Sequence, residues 1–278
     1  MGKSDTTLIA VGGGEIAEAD DILKEFLGLL KKLSNPRLVV MTVATSEPGA
    51  AANKYRDLFR KFGIKSVKTI DIAQRDDAFS EEALQKVKEA DALFFTGGSQ
   101  LNVTSLLGGS PLHQLIRDRV AEGFTVAGTS AGAMMMSNGM IVSGKGDHAP
   151  QVGAIEIAPG MDLLPETIID THFSERGRYG RLLAAIAHYP QDLGIGIDEQ
   201  TAIVVRGHQF RVVGKGAVTV IDGSKMRHND LPYRKMDEPV GMFGVQVHVL
   251  PAGYKFSLDG REPFAPALKK FVGAGNED

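Results

Sequence analysis

Apolar residues along the first two thirds of the chain fall into short runs that alternate with longer stretches of helical periodicity. The short runs end in glycine or polar residues, as buried parallel strands do, and lie at 7–11, 37–43, 67–72, 92–96, 125–129, 168–171 and 194–197. The longer stretches repeat apolar residues at helical spacing and lie at 15–33, 50–62, 80–90, 100–120 and 175–188. Strands that alternate with helices in this way predict a doubly wound, mostly parallel α/β sheet.

The pattern changes after Ala202. Short apolar runs at 202–205, 209–213, 218–221 and 245–250 are separated by glycine-rich turns and have no helices between them. We therefore expect a small antiparallel extension over about 202–278, packed on the same domain, so that residues 1–278 form one unit. The last residues, 273–278, are expected to be frayed.

Composition narrows the possible functions. The 278 residues are 43% hydrophobic, which suffices for one large core, and the formal net charge is −3. Basic residues form no stripe and no apolar run is long enough to span a bilayer, so we expect neither a nucleic-acid partner nor a membrane. Residues 1–7 lack the pattern of a secretory signal, which favours a cytoplasmic location. The chain has no cysteine, which excludes disulfides, thiolate metal sites and a cysteine nucleophile.

One motif lies where the predicted sheet would present a nucleophile. Gly128-Thr129-Ser130-Ala131-Gly132 follows a short apolar strand and precedes an apolar helix start. This strand–turn–helix context is what a Gly-x-Ser-x-Gly nucleophile elbow needs, although a plain glycine-rich loop would have the same composition. We expect the Ser130 hydroxyl to project into a crevice and the Ala131 N–H to face developing negative charge.

A serine nucleophile needs a base, and the base needs a carboxylate to orient it. Of the seven histidines, only His172 directly follows a buried strand, so it should lie at the carboxyl edge of the sheet beside the serine. Asp198 and Glu199 follow the next buried strand, and either of them could orient His172. The chain order serine, histidine, acid differs from the order of common α/β hydrolases and argues against a lipase or esterase.

Two further features complete the candidate site. Gly97 and Gly98 end the strand at 92–96, where a bare backbone N–H could be a second oxyanion donor. Arg178 and Arg181 are three residues apart, on one face of a predicted helix close to His172. Arginines there suggest a substrate carboxylate, although a solvated basic helix face is an equal alternative.

Four segments together resemble the cyanophycinases, a group of serine peptidases related to the α-aspartyl dipeptidases of the peptidase E type. The segments are Thr96-Gly97-Gly98-Ser99-Gln100, 128–133, 170–182 and Gly196-Ile197-Asp198-Glu199, in this order. The resemblance implies a class I glutamine-amidotransferase-like fold with serine in place of cysteine. One position departs from the family pattern, because Thr171 stands where glutamine is expected before the histidine, which puts a substrate contact there in doubt.

The resemblance also implies an activity and a set of roles. The substrate would be cyanophycin, a poly-aspartate backbone with arginine on each β-carboxyl, from which β-Asp-Arg dipeptides would be released by exo-cleavage. Ser130 would be the nucleophile, His172 the base and Glu199 its orienter, while Gln100, Asp170, Arg178 and Arg181 would contact substrate. No metal and no other cofactor would be needed, and the protein would be a homodimer.

Two alternatives stay open at the level of sequence. The same site could act as an α-aspartyl dipeptidase on free N-terminal aspartate, although the extra chain beyond Ala202 favours the polymer. In a different class, Gly12-Gly13-Gly14 could be the anion cradle of a non-catalytic nucleotide-binding module. That loop lacks both the dinucleotide-binding spacing and a P-loop lysine, which makes the nucleotide hypothesis the weaker one.

Overall fold

The structure is a computed structural model that describes residues 6–144, 146 and 148–267. The predicted frayed tail at 273–278 lies outside these residues. The helices are α1 (Asp20–Leu30), α2 (Pro48–Lys61), α3 (Glu81–Glu89), α4 (Gln100–Leu107), α5 (Pro111–Ala121), α6 (Ala131–Met134) and α7 (Tyr179–His188), with 3₁₀ turns at Ile16–Glu18, Arg75–Phe79 and Leu231–Tyr233. The strands are β1 (Thr7–Val11), β2 (Arg37–Met41), β3 (Ser66–Ile70), β4 (Ala92–Phe95), β5 (Thr125–Thr129), β6 (Gly139–Gly144), β7 (Ile155–Pro159), β8 (Thr167–Thr171), β9 (Leu193–Ile197), β10 (Thr201–Arg206), β11 (Gln209–Gly214), β12 (Ala217–Asp222), β13 (His228–Asn229), β14 (Met242–Phe243), β15 (Gln246–Pro251), β16 (Lys255–Ser257) and β17 (Glu262–Phe264).

A nine-stranded sheet forms the centre of the molecule, in the order β17-β16-β11-β10-β1-β5-β4-β2-β3. Strands β1 to β5 are parallel to one another, whereas β10, β11, β16 and β17 continue the sheet in antiparallel pairing. The α/β class and the parallel half of the sheet are therefore confirmed. The more specific amidotransferase-like topology stays a prediction.

The strands that lead to His172 and Glu199 lie in a second sheet, which the sequence did not predict. This four-stranded sheet has the order β15-β12-β9-β8, and only β8 and β9 are parallel. The reason is that β10 pairs antiparallel with β1, from Thr7↔Arg206 to Val11↔Ala202, and so occupies the edge that β8 or β9 would otherwise join. The expected antiparallel extension is accordingly shared between both sheets.

Both faces of the central sheet are covered by apolar layers. On one face α1 and α2 enclose an aromatic cluster in which the ring centroids of Phe59 and Phe94 are 5.3 Å apart. The opposite face packs against α3 to α6 and against the second sheet. Since the parallel strands are buried on both faces, their apolar residues are continuous rather than alternating.

The hairpin of β6 and β7 is also absent from the sequence prediction. Its register shifts between Ile141 and Ser143, which marks a β-bulge at Val142. A bulge interrupts the alternation of apolar and polar residues, and this hides the strand from pattern analysis.

Among residues 6–144, 146 and 148–267, none of the helices combines the length and the apolar composition that a membrane span needs.

Candidate active site

Ser130 lies at the turn between β5 and α6 with φ 53° and ψ −115°, a conformation that costs a non-glycine residue free energy. Its backbone N–H donates to Val11 O at 2.9 Å, which fixes the turn to the end of β1. A Cβ at Gly128 would lie 2.1 Å from Gly132 O, and one at Gly132 would lie 2.6 Å from Phe95 O. The two glycines of the motif therefore allow backbones to meet where side chains could not fit. This is the backbone geometry that a nucleophile elbow requires.

A chain of two side-chain hydrogen bonds joins the predicted nucleophile, base and acid. Ser130 Oγ is 2.9 Å from His172 Nε2, and His172 Nδ1 is 2.6 Å from Glu199 Oε1. Ser130 is partly accessible, and 14% of the His172 side chain is exposed. The structure thus brings together three residues from both sheets in the order that serine activation needs.

Asp198, the other candidate acid, is directed away from His172. Its Oδ1 accepts from Ser174 N at 3.1 Å and its Oδ2 accepts from Ala217 N at 3.0 Å. Between the two acids, the carboxylate in contact with the imidazole is therefore that of Glu199.

The Gly12-Gly13-Gly14 loop packs against this chain of residues. A Cβ at Gly13, whose φ is +107°, would lie 2.2 Å from His172 Cε1 and 2.6 Å from His172 Nε2. Gly12 O accepts from His172 N at 2.7 Å, and Gly13 O accepts from Gln200 N at 3.0 Å. The loop is therefore filled by the imidazole and by the turn that carries Glu199. An anion cradle would need this space to be open, so the geometry argues against the nucleotide-binding alternative.

Gly97 and Ala131 lie next to Ser130, whereas the backbone of Gly98 packs against Ala44. A Cβ at Gly97 would lie 3.3 Å from Ser130 Cβ and 3.9 Å from Ser130 Oγ. Gly98 is exposed and has φ +143°, and a Cβ there would lie 2.0 Å from Ala44 O, so only glycine fits. Ala131 begins the four-residue helix α6 directly after Ser130.

Asp170, Arg178 and Arg181 form a buried ion cluster. Asp170 has no accessible surface; Arg181 Nε donates to its Oδ2 at 2.6 Å and Arg181 Nη2 donates to its Oδ1. Arg178 Nη1 donates to Asp170 Oδ1 at 3.1 Å and to Thr171 O at 2.6 Å. Burial lowers the pKa of Arg178, an effect that the charge of Asp170 opposes. In this arrangement Asp170 cannot reach a substrate guanidinium, because the two arginines enclose it.

The Gln100 amide makes hydrogen bonds inside the protein, and the Thr171 side chain is buried. Gln100 Nε2 donates to Ile141 O at 2.8 Å and to Val142 O at 3.0 Å, at the bulge of β6. Thr171 is fully buried at the end of β8, so its side chain has no surface that could contact a substrate. Arg178 is the most accessible charged member of the predicted substrate set, with 13% of its side chain exposed.

The contacts that support these residues are not among the sequence predictions. The glycine loop is predicted only as a possible anion cradle, although three consecutive glycines also indicate a close approach of another group. Among the residues that the structure describes, no group of three or more histidine and carboxylate side chains is arranged to hold a metal ion.

Known proteins of one peptidase family are similar to this chain over most of its length. The model of "Peptidase family S51" matches residues 8–213. A cyanophycinase from Trichormus variabilis is 35% identical over 256 residues, covering 91% of this chain and 86% of its own length. A cyanophycinase from Geminocystis herdmanii is 32% identical over 263 residues, covering 94% of this chain and 96% of its own.

Solved structures of peptidases are also similar to this chain. The crystal structure of a peptidase from an acI-B1 actinobacterium is 25% identical, with a TM-score of 0.65 and coverage of 92% of this chain and 98% of its own. A putative peptidase E from Listeria monocytogenes, 17% identical with a TM-score of 0.53, shares the fold over 75% of this chain and 98% of its own.

The fold and the comparisons together show that this chain is a peptidase. More particularly, this chain belongs to peptidase family S51, and its resemblance to the cyanophycinases is confirmed.

Replacement of Gly13 by alanine tests the packing against His172. We expect Gly13→Ala to displace the imidazole and to slow labelling of Ser130 by a fluorophosphonate, measured by mass spectrometry, by about 100-fold. Gly63→Ala is the matched control, because Gly63 also has a positive φ, +96°, but a Cβ added there would meet no atom within 4 Å. Equal labelling rates in the two variants would contradict this account of the loop.

Replacement of Asp170 by asparagine tests the buried ion cluster. We expect Asp170→Asn to lower the free energy of unfolding by about 3 to 5 kcal/mol, because two buried guanidinium groups lose their counter-ion. The control is Asp162→Asn, which removes an exposed pair with Arg117 at 2.9 Å and should cost less than about 1 kcal/mol. Urea denaturation of both variants measures the difference, and similar losses would refute the proposed burial effect.

Proposed function

We propose that this chain is a serine-type exopeptidase that hydrolyses cyanophycin to β-Asp-Arg dipeptides. The observation that carries the proposal is the continuous contact from Ser130 Oγ through His172 to Glu199. The names of the relatives that cover most of the chain support the substrate, since those proteins are cyanophycinases.

The proposed reaction proceeds through an acyl-enzyme. Ser130 Oγ attacks a backbone aspartyl carbonyl while His172 Nε2 takes the hydroxyl proton. Glu199 accepts from His172 Nδ1, which keeps the imidazole in the tautomer that can act as a base and stabilises the imidazolium. His172 then gives the proton to the leaving amine, and water attacks the ester to release the product.

The backbone N–H groups of Gly98 and Ala131 are the proposed oxyanion donors. The close contact of Gly97 with Ser130 supports this assignment, since it brings the end of β4 beside the nucleophile. Donors held by the backbone need no reorganisation during the reaction and are therefore effective in stabilising the tetrahedral intermediate.

For substrate binding, we propose that Arg178 contacts a substrate carboxylate directly. Its partial exposure supports the role. Asp170 and Arg181 would then act as positioning residues, because their bidentate contact holds the carboxylate that orients Arg178. Gln100 would hold the bulge of β6 through its hydrogen bonds to Ile141 O and Val142 O.

Cyanophycin digestion is the direct test of this function. Insoluble cyanophycin is incubated with the wild type, Ser130→Ala and Glu199→Gln, and soluble products are followed by mass spectrometry. We expect β-Asp-Arg release by the wild type, none by Ser130→Ala, and a loss of about 100-fold or more by Glu199→Gln, because the base loses its orienting carboxylate. Turnover of α-aspartyl dipeptides in place of cyanophycin would contradict the proposed substrate while supporting the same catalytic residues.

We also propose that the protein is a homodimer joined through β15. This strand lies at an edge of the second sheet and contains no charged residue, and Val247 and Val249 on one face are 54% and 58% exposed. An uncharged edge strand is open to pairing, and antiparallel pairing about a two-fold axis is self-complementary. The proposed occupant of this edge is therefore the β15 strand of a second copy of this chain.

Light scattering after size-exclusion chromatography tests the dimer. We expect twice the chain mass of 29.7 kDa for the wild type and a monomer for Val249→Glu, because a buried charge opposes pairing. Leu33→Glu, which alters an exposed apolar residue elsewhere, should stay dimeric. A monomeric wild type, or equal effects of both variants, would exclude β15 as the interface.

A further inference from the structure

Two carboxylates other than that of Glu199 connect the loops that carry His172 and Glu199. One loop follows β8 and contains His172, Ser174 and Glu175; the other follows β9 and contains Asp198 and Glu199. Asp198 Oδ1 accepts from Ser174 N at 3.1 Å, and Glu175 Oε1 accepts from Glu199 N at 3.2 Å. Each loop thus supplies a side-chain acceptor to a backbone N–H of the other, and we name this pair of bonds the carboxylate brace.

The brace is well placed to fix the contact between base and acid. His172 is two residues before Ser174, and Glu199 itself donates its N–H to Glu175. A third bond extends the brace, since Asp198 Oδ2 accepts from Ala217 N at 3.0 Å and joins the loop to the first residue of β12. Both loops are therefore held within a few residues of the 2.6 Å contact between His172 Nδ1 and Glu199 Oε1.

Strand pairing alone does not hold these loops. β8 and β9 pair only as far as Thr171 and Ile197, so both functional residues lie beyond the last rung of the sheet. Beyond that point Phe173 N donates to Ile197 O at 3.2 Å, and His172 has a left-handed backbone with φ 49°. A residue in a strained conformation keeps it only when the surrounding contacts hold it there. The carboxylate brace contributes to holding the loop that contains His172.

We infer that Asp198 and Glu175 are positioning residues that set the distance between the base and the acid of the site. The inference rests on the proposed function, in which His172 and Glu199 act together on Ser130. Neither carboxylate touches the reacting atoms, so their effect is expected in kcat rather than in KM. Asp198 gains a role distinct from that of Glu199, even though the two are adjacent in sequence.

The test uses Glu175, because it is exposed and its replacement leaves the core intact. Glu175→Ala removes the acceptor, whereas Glu175→Gln keeps an oxygen for the Glu199 N–H. Glu81→Ala, on the exposed surface of α3, is the control. We expect kcat on the substrate found active to fall about 10-fold in Glu175→Ala, with KM within about twofold, and to return to near wild type in Glu175→Gln. This expected loss of kcat is smaller than the roughly 100-fold that a 1 Å displacement of a catalytic group can cost.

A second measurement needs no substrate. The proton in the short hydrogen bond between His172 and Glu199 should give a downfield proton NMR resonance that disappears in Glu199→Gln. We expect this resonance to broaden or shift in Glu175→Ala and in Asp198→Asn, and to persist in Glu175→Gln and Glu81→Ala. An unchanged resonance in Glu175→Ala and Asp198→Asn, or equal kcat losses in Glu175→Ala and Glu175→Gln, would overturn the inference.

The two measurements separate failure of the inference from failure of the proposed function. If the wild type hydrolyses no aspartyl substrate, the cyanophycin proposal fails, yet the resonance still reports whether the brace sets the contact. If hydrolysis occurs and the resonance does not respond to the brace variants, only the inference fails.

Discussion

The site depends on the space that a missing side chain leaves at Gly13. The serine belongs to the central sheet, whereas the histidine and the glutamate belong to the second sheet, so no single set of strand pairings can align them. The loop after β1 provides the alignment, because its carbonyls bind His172 N and Gln200 N while its bare Cα lies against the imidazole. A Cβ at Gly13 would occupy the position of the ring itself. The rest of the site can be assembled only because two sheets approach each other at this glycine.

Much of the parallel half of the fold could be predicted from the sequence, because buried parallel strands are continuous apolar runs bounded by helices of clear periodicity. The predicted strand at 7–11 matches β1, and the predicted helix at 50–62 starts two residues and ends one residue later than α2. The division into two sheets could not be predicted, since apolar runs at β9 and β10 specify burial but not the neighbouring strand. The bulge at Val142 concealed β6 for a similar reason, because it breaks the period on which recognition depends.

In the candidate site too, features set by neighbouring residues could be predicted from the sequence, whereas features set by contacts between distant residues could not. Ser130 was recognisable because its turn chemistry lies in five consecutive residues. His172 was recognisable because it follows a buried strand, whereas the choice of Glu199 over the adjacent Asp198 came from the family resemblance. The environment of Asp170 was not recognisable, since nothing in a sequence states that Arg178 and Arg181 turn inward onto one carboxylate instead of outward to solvent. Because that cluster is buried, leaving its arginines unpaired would cost more free energy than it would at the surface, so the proposed substrate contact of Arg178 depends on an intact interior.

Three residues of the site that are not glycine have left-handed backbones, namely Ser130 at φ 53°, His172 at φ 49° and Gln200 at φ 51°. Each conformation costs an L-residue about 1 kcal/mol or more, whereas glycine adopts it freely. At positions 130 and 172 the proposed reaction needs the side chain, so glycine would relieve strain there only by removing the chemistry. Selection for thermal stability would therefore favour glycine at these two positions, whereas selection for turnover would keep serine and histidine. A laboratory lineage of this chain selected for heat resistance alone would be expected to lose activity at the site before it lost the fold.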